Sequence, residues 1–241
     1  MVLAATLTDR VYRVSRWLAR NLLTPYWQPQ LLGLEQFPSE GPVLLVVNHP
    51  TMLDAFTMLA VSPRRLWVMV GEAVLKIPLA GAWIRAIGII PVRPGGDSLS
   101  VALETLQAGE CVTIFPEGVH SNSQHLRAFR RGAAVLARTA GVPVVPVAIA
   151  GCAAFCGPLL NYVRGGSSRV AFGPPLYCQP DEEVTHFLSR LRAALQVQLD
   201  LPEPLPTARR GLHFRLCQLI WVPTTWLIFT ALNRFRPGHR R

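Results

Sequence analysis

Short, nearly unbroken apolar runs alternate along this chain with segments whose apolar residues recur every three or four positions. Val43–Val47, Leu66–Val70, Ile87–Val92, Cys111–Phe115 and Val142–Ala150 are of the first kind and predict buried strands. The intervening segments predict helices. One covers Met52–Val61 and stops before Pro63. A second runs from Asp97 or Ser98, either of which suits a cap, to Gln107, and Gly109 closes it. A third lies at Gly132–Ala140 and ends at Gly141. Val184–Leu199 follows the acids Asp181-Glu182-Glu183, whose charge suits the positive end of a helix. Residues 139–163 carry no charge, yet Pro143, Pro146, Gly151, Gly157 and Pro158 break any helix of that length, so the segment reads as core strand plus loop. Strands alternating with helices predict an α/β fold, a mostly parallel central sheet flanked by helices. Such sheets collect ligands at the carboxyl ends of their strands.

The two ends of the chain follow a different pattern. Leu3, Leu7, Val11, Val14, Leu18 and Leu22 fall within an arc of about 100° on a helical wheel. Arg10, Arg13, Arg16 and Arg20 occupy the adjoining arc, with Trp17 between. An apolar stripe bordered by arginine and tryptophan predicts an amphipathic helix lying in a membrane interface. The alternative is a surface helix packed on its own domain. At the other end, residues 216–232 are uncharged and include Trp221, Trp226 and Phe229, with arginines on both sides. A full span needs about 20 apolar residues, and Pro223 interrupts this one, so it reads as a kinked or re-entrant membrane-associated segment. Four regions result: an interfacial helix at 1–30, an α/β domain at 31–200, a Pro-rich linker at 201–208 and a basic, apolar tail at 209–241.

Charge sharpens this division. The chain has 241 residues and a net charge of +10. Residues 1–30 hold four arginines against one acid, and 209–241 hold seven against none. The 31–208 stretch is neutral, so all of the excess lies in the two ends. A basic segment needs an anionic partner, and tails this apolar suit an anionic membrane surface rather than nucleic acid. Half of the residues are hydrophobic, which excludes general disorder. The five cysteines (Cys111, Cys152, Cys156, Cys178, Cys217) include no metal-type pair and read as structural thiols in a reducing, cytoplasm-facing setting. The N-terminus lacks the continuous apolar core of a secretory signal.

Chemistry-bearing residues stand where the predicted strands end. His49 follows the first, and Asp54 lies five residues on. A regular helix does not place that spacing on one face, so the turn at Pro50 must bring the carboxylate to the ring. An imidazole ordinarily titrates near about pH 6.5, which suits a base for a hydroxyl, and a carboxylate on its other nitrogen holds the tautomer. Arg93, before Pro94-Gly95-Gly96, suits a phosphate or carboxylate, or a surface ion pair. Glu117 sits between Pro116 and Gly118 at the sheet rim.

In combination these segments resemble the lysophospholipid, or glycerolipid, acyltransferase superfamily. Asn48-His49-Pro50-Thr51-Met52-Leu53-Asp54 looks like its NH(x)4D motif. Gly88 to Arg93 resembles its G-x-x-x-x-R block, Phe115-Pro116-Glu117-Gly118 its FPEG block, and Val142 to Val147 its V-P-V-x-P-V block. The resemblance covers about residues 10–180. It implies transfer of a fatty acyl group from acyl-CoA or acyl-carrier protein, as co-substrate, to a lipid hydroxyl, with no cofactor and no metal. By similarity His49 is the general base and Asp54 its partner. Arg93, Glu117 and Gly118 hold the acceptor, and Pro146 shapes the acyl-donor side. The third block commonly continues Thr-Arg-Ser in that family, whereas here it reads Val119-His120-Ser121. His120 is a weaker phosphate ligand than arginine, and Arg127, Arg130 or Arg131 stands ready to compensate. The implied acceptor is 1-acylglycerol-3-phosphate, with a phosphate-free lysolipid, glycolipid or aminoacyl lipid as the alternative, and a non-catalytic membrane-binding relative as a third. The expected location is a membrane at its cytoplasmic face. No GxSxG elbow, P-loop or GxGxxG turn is present, which disfavours serine hydrolase, nucleotide hydrolase and Rossmann readings.

Overall fold

The computed structural model describes residues 2–23, 29–51, 54–77, 80–93, 95–119, 125–151 and 168–202. In chain order, helix α1 spans Val2–Leu18 and runs into a wider turn at Ala19–Leu23. Strands β1 (Pro29–Leu32) and β2 (Val43–Val47) precede helix α2 (Asp54–Val61). Strand β3 (Leu66–Gly71) leads into the short helices α3 (Glu72–Leu75) and α4 (Ala80–Ala86), then β4 (Ile89–Val92). Helix α5 (Ser98–Gln107), β5 (Cys111–Ile114), α6 (Gly132–Ala140), β6 (Val144–Ala150), β7 (Ser168–Phe172) and α7 (Val184–Leu199) complete the order.

The strands form one seven-stranded sheet in the order β1-β7-β6-β2-β5-β3-β4. The five from β6 to β4 are parallel, as the alternating pattern predicts. β7 runs antiparallel to β6 and carries β1 parallel to itself, so these two strands point the other way. Neither was predicted. β1 is four residues long and starts on a proline, and β7 has Arg169 at its second position, which hides its apolar character. That arginine is fully buried because its guanidinium donates to the carbonyls of Gln198, Leu199, Leu201 and Pro202, the otherwise unsatisfied end of α7 and the residues beyond it. The beginning of the predicted linker is thus bound to the sheet, and residues 203–208 lie outside the described region, as does the apolar segment at 216–232.

Every residue of β2 and β6 is buried because helices cover both faces. One face packs Val43, Leu45 and Val47 against Met58 and Leu59 of α2, and against Tyr12 and Ala19. The other packs Leu44 and Val46 with Ala102, Leu106, Ala134, Phe187, Leu191 and Leu195 from α5, α6 and α7. α7 supplies Val184, Phe187, Leu191 and Leu195 at helical spacing to that face. Gly141 stops α6 in a left-handed conformation at φ 62°. Asp97 holds the N-cap position of α5, but its side chain makes no capping hydrogen bond, contrary to expectation. Cys111 lies in the core, where burial pushes its thiol up to about 11, consistent with a structural role.

The N-terminal segment is part of the domain rather than an attachment to it. Tyr12, Ser15 and Ala19 are buried, and Tyr12 and Ala19 belong to the core. The Tyr12 hydroxyl accepts the Leu66 N–H at 3.0 Å, and the Trp83 indole donates to Ser15 Oγ at 2.8 Å. Arg65 reaches Asp9 at 2.7 Å, with its guanidinium 4.9 Å from the Tyr12 ring centre and 4.8 Å from that of Trp67. At 100° per residue the docked face lies about 100° away from the leucine stripe. Val14 and Trp17 remain 57% and 61% exposed on the outer side, beside Arg10 and Arg13. The expected boundary at residue 30 also falls inside β1. The docking face of α1 is small and partly polar, so it leaves no apolar period to read.

Candidate active site

The site is assembled where β2 and its neighbour β5 end. At Asn48 the main-chain N–H still donates to the Val147 carbonyl of β6, and the side chain carries the pairing further. Its Oδ1 accepts the Ile149 N–H at 2.7 Å and its Nδ2 donates to the Ile149 carbonyl at 2.9 Å. A side-chain amide thereby extends the β2–β6 pairing by one step, and His49 starts from a fixed backbone. On the β5 side the His49 N–H donates to Glu117 Oε1 at 2.9 Å.

The five-residue gap from His49 to Asp54 is closed at the start of α2. The Thr51 N–H donates to Asp54 Oδ2 at 2.8 Å, and its hydroxyl donates to Oδ1 at 2.7 Å. Asp54, in the first turn of α2, thus reaches back to both the main chain and the hydroxyl of Thr51. The same Oδ2 lies 2.8 Å from His49 Nδ1. The imidazole is stacked on Phe115, with ring centres 4.3 Å apart at 23°. Asp54 is fully buried, and burial pushes its pKa above the usual carboxylate range, while the bonds from His49 and Thr51 pull it back. A carboxylate on Nδ1 holds that nitrogen protonated, so the ring's lone pair is on Nε2.

Glu117 lies between the His49 turn and the segment that starts at Arg127. It is 5% exposed, and its second oxygen accepts the Arg127 N–H at 3.1 Å. Both oxygens are committed to main-chain donors. Gly118 has φ +72°, and a Cβ there would stand 2.3 Å from Arg130 Nε, so the arginine side chain lies directly over the glycine. Arg130 and Arg131 are both exposed, Arg131 at the N-cap position of α6. Arg192 of α7 secures this segment by donating to the Arg127 carbonyl at 2.7 Å and the Leu126 carbonyl at 2.9 Å.

The remaining predicted residues lie further out. Arg93 is exposed at the end of β4, 3.4 Å from Glu72, the surface ion pair weighed as the alternative to an anion site. β4 stands three strands from β2, about 14 Å at ordinary strand spacing. Pro146 is buried within β6, paired in register with Val46, and its carbonyl accepts the Gly173 N–H. Its ring nitrogen has no hydrogen to give, and the registered pairing with β7 begins one residue on, at Val147 opposite Phe172. It lies in the core rather than on an open wall. His120 lies outside the described residues. Sequence reasoning assigned no role to Asn48, Thr51, Phe115 or Arg192. Of these only Thr51-x-x-Asp54 carries a local signal, the capping-box spacing. Among the described residues no group of three or more His, Cys, Asp or Glu side chains is placed to hold a metal ion.

Comparison with known proteins supplies the family. A family model described as Acyltransferase matches residues 28–150. The chain is 30% identical over 174 residues to a chloroplastic 1-acyl-sn-glycerol-3-phosphate acyltransferase of Brassica napus, covering 68% of this chain but only 49% of that protein. It is 31% identical over 209 residues to the lyso-ornithine lipid O-acyltransferase of Pseudomonas aeruginosa, covering 84% of this chain and 74% of the other. The crystal structure of the 1-acyl-sn-glycerophosphate acyltransferase PlsC from Thermotoga maritima shares the fold, with a TM-score of 0.67 at 20% identity over 85% of this chain and 83% of that one. The chain therefore spans about half the length of the plant relative and three-quarters of the Pseudomonas one. A histidine–aspartate pair at the end of a central parallel strand, within a matched segment covering half of the sequence, places the chain in the glycerolipid acyltransferase superfamily.

Proposed function

We propose that the protein moves a fatty acyl group from acyl-CoA or acyl-carrier protein to a hydroxyl of 1-acylglycerol-3-phosphate. The observation that carries this reading is the 2.8 Å contact between His49 Nδ1 and the buried Asp54 carboxylate. His49 Nε2 takes the proton of the acceptor hydroxyl, and the oxygen attacks the thioester carbonyl. Asp54 stabilises the imidazolium so formed. Collapse of the tetrahedral intermediate breaks the C–S bond, and the imidazolium returns the proton to the departing thiolate. No covalent enzyme intermediate is needed. Arg130 and Arg131, exposed beside the Gly118 turn, are the cations suited to the acceptor's phosphate, and Arg93 lies farther along the rim.

A second acceptor class is favoured by one specific observation. The relative named for lyso-ornithine lipid is 31% identical over a stretch covering 84% of this chain. An aminoacyl lipid carries no phosphomonoester, and the ion pair of Arg93 with Glu72 leaves that guanidinium less available to a phosphate. Assaying the purified protein with 1-acylglycerol-3-phosphate, lyso-ornithine lipid and a neutral lysoglycolipid, each with both donors, separates the readings. The first predicts at least about tenfold higher kcat/KM for the phosphate-bearing acceptor, equivalent to about 1.4 kcal/mol. The reverse order establishes the second, and no turnover with any donor supports the non-catalytic alternative.

Attachment to an anionic membrane surface at the cytoplasmic face completes the proposal. No helix among the described residues is long and apolar enough to cross a bilayer. The outer face of α1, with Val14, Trp17, Arg10 and Arg13, suits a lipid interface instead. Trp17→Ala is expected to weaken binding to anionic vesicles severalfold in flotation assays without loss of fold, and high salt to weaken it further. Unchanged flotation of the variant would assign attachment to other parts of the chain.

A further inference from the structure

Glu117 connects two segments that the chemistry requires to act together. One carboxylate oxygen accepts the N–H of His49, 68 residues away in sequence, and the other accepts the N–H of Arg127. Arg127 begins the stretch that carries Arg130 and Arg131, and Arg130 leans over the glycine next to Glu117. Arg192 holds the far side of the same stretch by its carbonyls, so its main chain is gripped from both sides. A carboxylate 5% exposed, with each oxygen on a main-chain donor, is held by two segments of the fold at once.

We propose that Glu117 is a positioning residue that couples the base to the arginine segment. Engagement of an anionic acceptor headgroup by that segment is transmitted through one buried side chain to the backbone of His49. The proposal rests on the reading of His49 as base and of Arg130 and Arg131 as headgroup contacts. The connection itself is a property of the hydrogen bonds.

The test uses the full chain in detergent, as wild type, Glu117→Gln and Glu117→Asp. The amide variant presents an N–H2 group to one of two N–H donors, whereas the aspartate keeps the charge but is one methylene too short to span both. Amide hydrogen exchange is followed in peptides covering 44–51 and 125–131, with and without 1-acylglycerol-3-phosphate. In the wild type the lysolipid is expected to protect both segments. In the variants both are expected to exchange at least about tenfold faster, and added lysolipid to protect 125–131 alone. In steady-state assays kcat is expected to fall at least about tenfold, with the acceptor KM within about threefold of wild type. A raised acceptor KM at constant kcat, exchange that quickens in one segment only, or unaltered activity would overturn the link. Should Glu117→Gln not fold, Glu117→Asp carries both measurements. Undiminished activity of His49→Ala would instead sink the assignment of the base, and the exchange data would still decide whether Glu117 joins the two segments.

Discussion

His49→Ala is expected to lower kcat for acyl transfer by about 10²- to 10⁴-fold, the usual contribution of a positioned general base. The acceptor and donor KM values should change little, because the imidazole acts on the proton in flight rather than on either ground state. Asp54→Asn is expected to lose activity in the same range. An amide on Nδ1 does not hold the ring in the tautomer that places the lone pair on Nε2. Its stability should be little altered, since removing a fully buried charge offsets the weakened bonds to Thr51. Burial raises the pKa of Asp54, so the folded state binds this proton more tightly than the unfolded chain does. The ionised carboxylate therefore costs stability at neutral pH, and acidification through its folded pKa relieves that cost. Activity on the acid side is thus expected to disappear before the fold does, as parallel activity and circular dichroism titrations would read. Coincident loss of both would show that Asp54 titrates only on unfolding.

Phe187→Ala is expected to cost about 3–5 kcal/mol of stability, a large share of the about 5–15 kcal/mol that holds a domain together. Phe187 is fully buried in the face of α7 that closes over the sheet, with Val184, Leu191 and Leu195. Strands β6 and β7 run beneath that helix, and Arg169 fastens its end, so the cavity has little freedom to collapse. Val197→Ala, on the exposed side of the same helix, serves as control and should stay within about 0.5 kcal/mol of wild type. Urea unfolding followed by tryptophan fluorescence checks both. A Phe187→Ala cost below about 1 kcal/mol would mean that α7 does not seal this face.

The strands of the parallel half were legible because burial on both faces leaves an unbroken apolar run, as in Val43–Val47. Helices α5, α6 and α7 were legible through their spacing and stop signals, with Gly109 and Gly141 both in left-handed conformations. β7 was not, because its buried Arg169 looks like a surface residue until the carbonyls at the end of α7 are brought to it. The docking of α1 was hidden for a related reason. Tyr12 and Ser15 are buried with hydrogen-bonding partners on β3 and α4, and no local pattern announces such partners.

By itself, then, the sequence determined the α/β class, the parallel strands around the site and which polar residues stand at their ends. Apolar periodicity and residue chemistry are local properties, and they survive in a linear string. The tertiary structure alone decided what those residues do to one another. His49 and Glu117 meet because β2 lies beside β5, and Asn48 finds Ile149 because β6 lies on the other side. The family resemblance assigns Glu117 to the acceptor, while its place at a strand end says nothing of what it touches. Here it accepts two main-chain N–H groups, one from His49 and one from Arg127, and no local pattern announces either. Strand order and hydrogen-bond partners depend on contacts between residues far apart in the chain, so they exist only once it has folded.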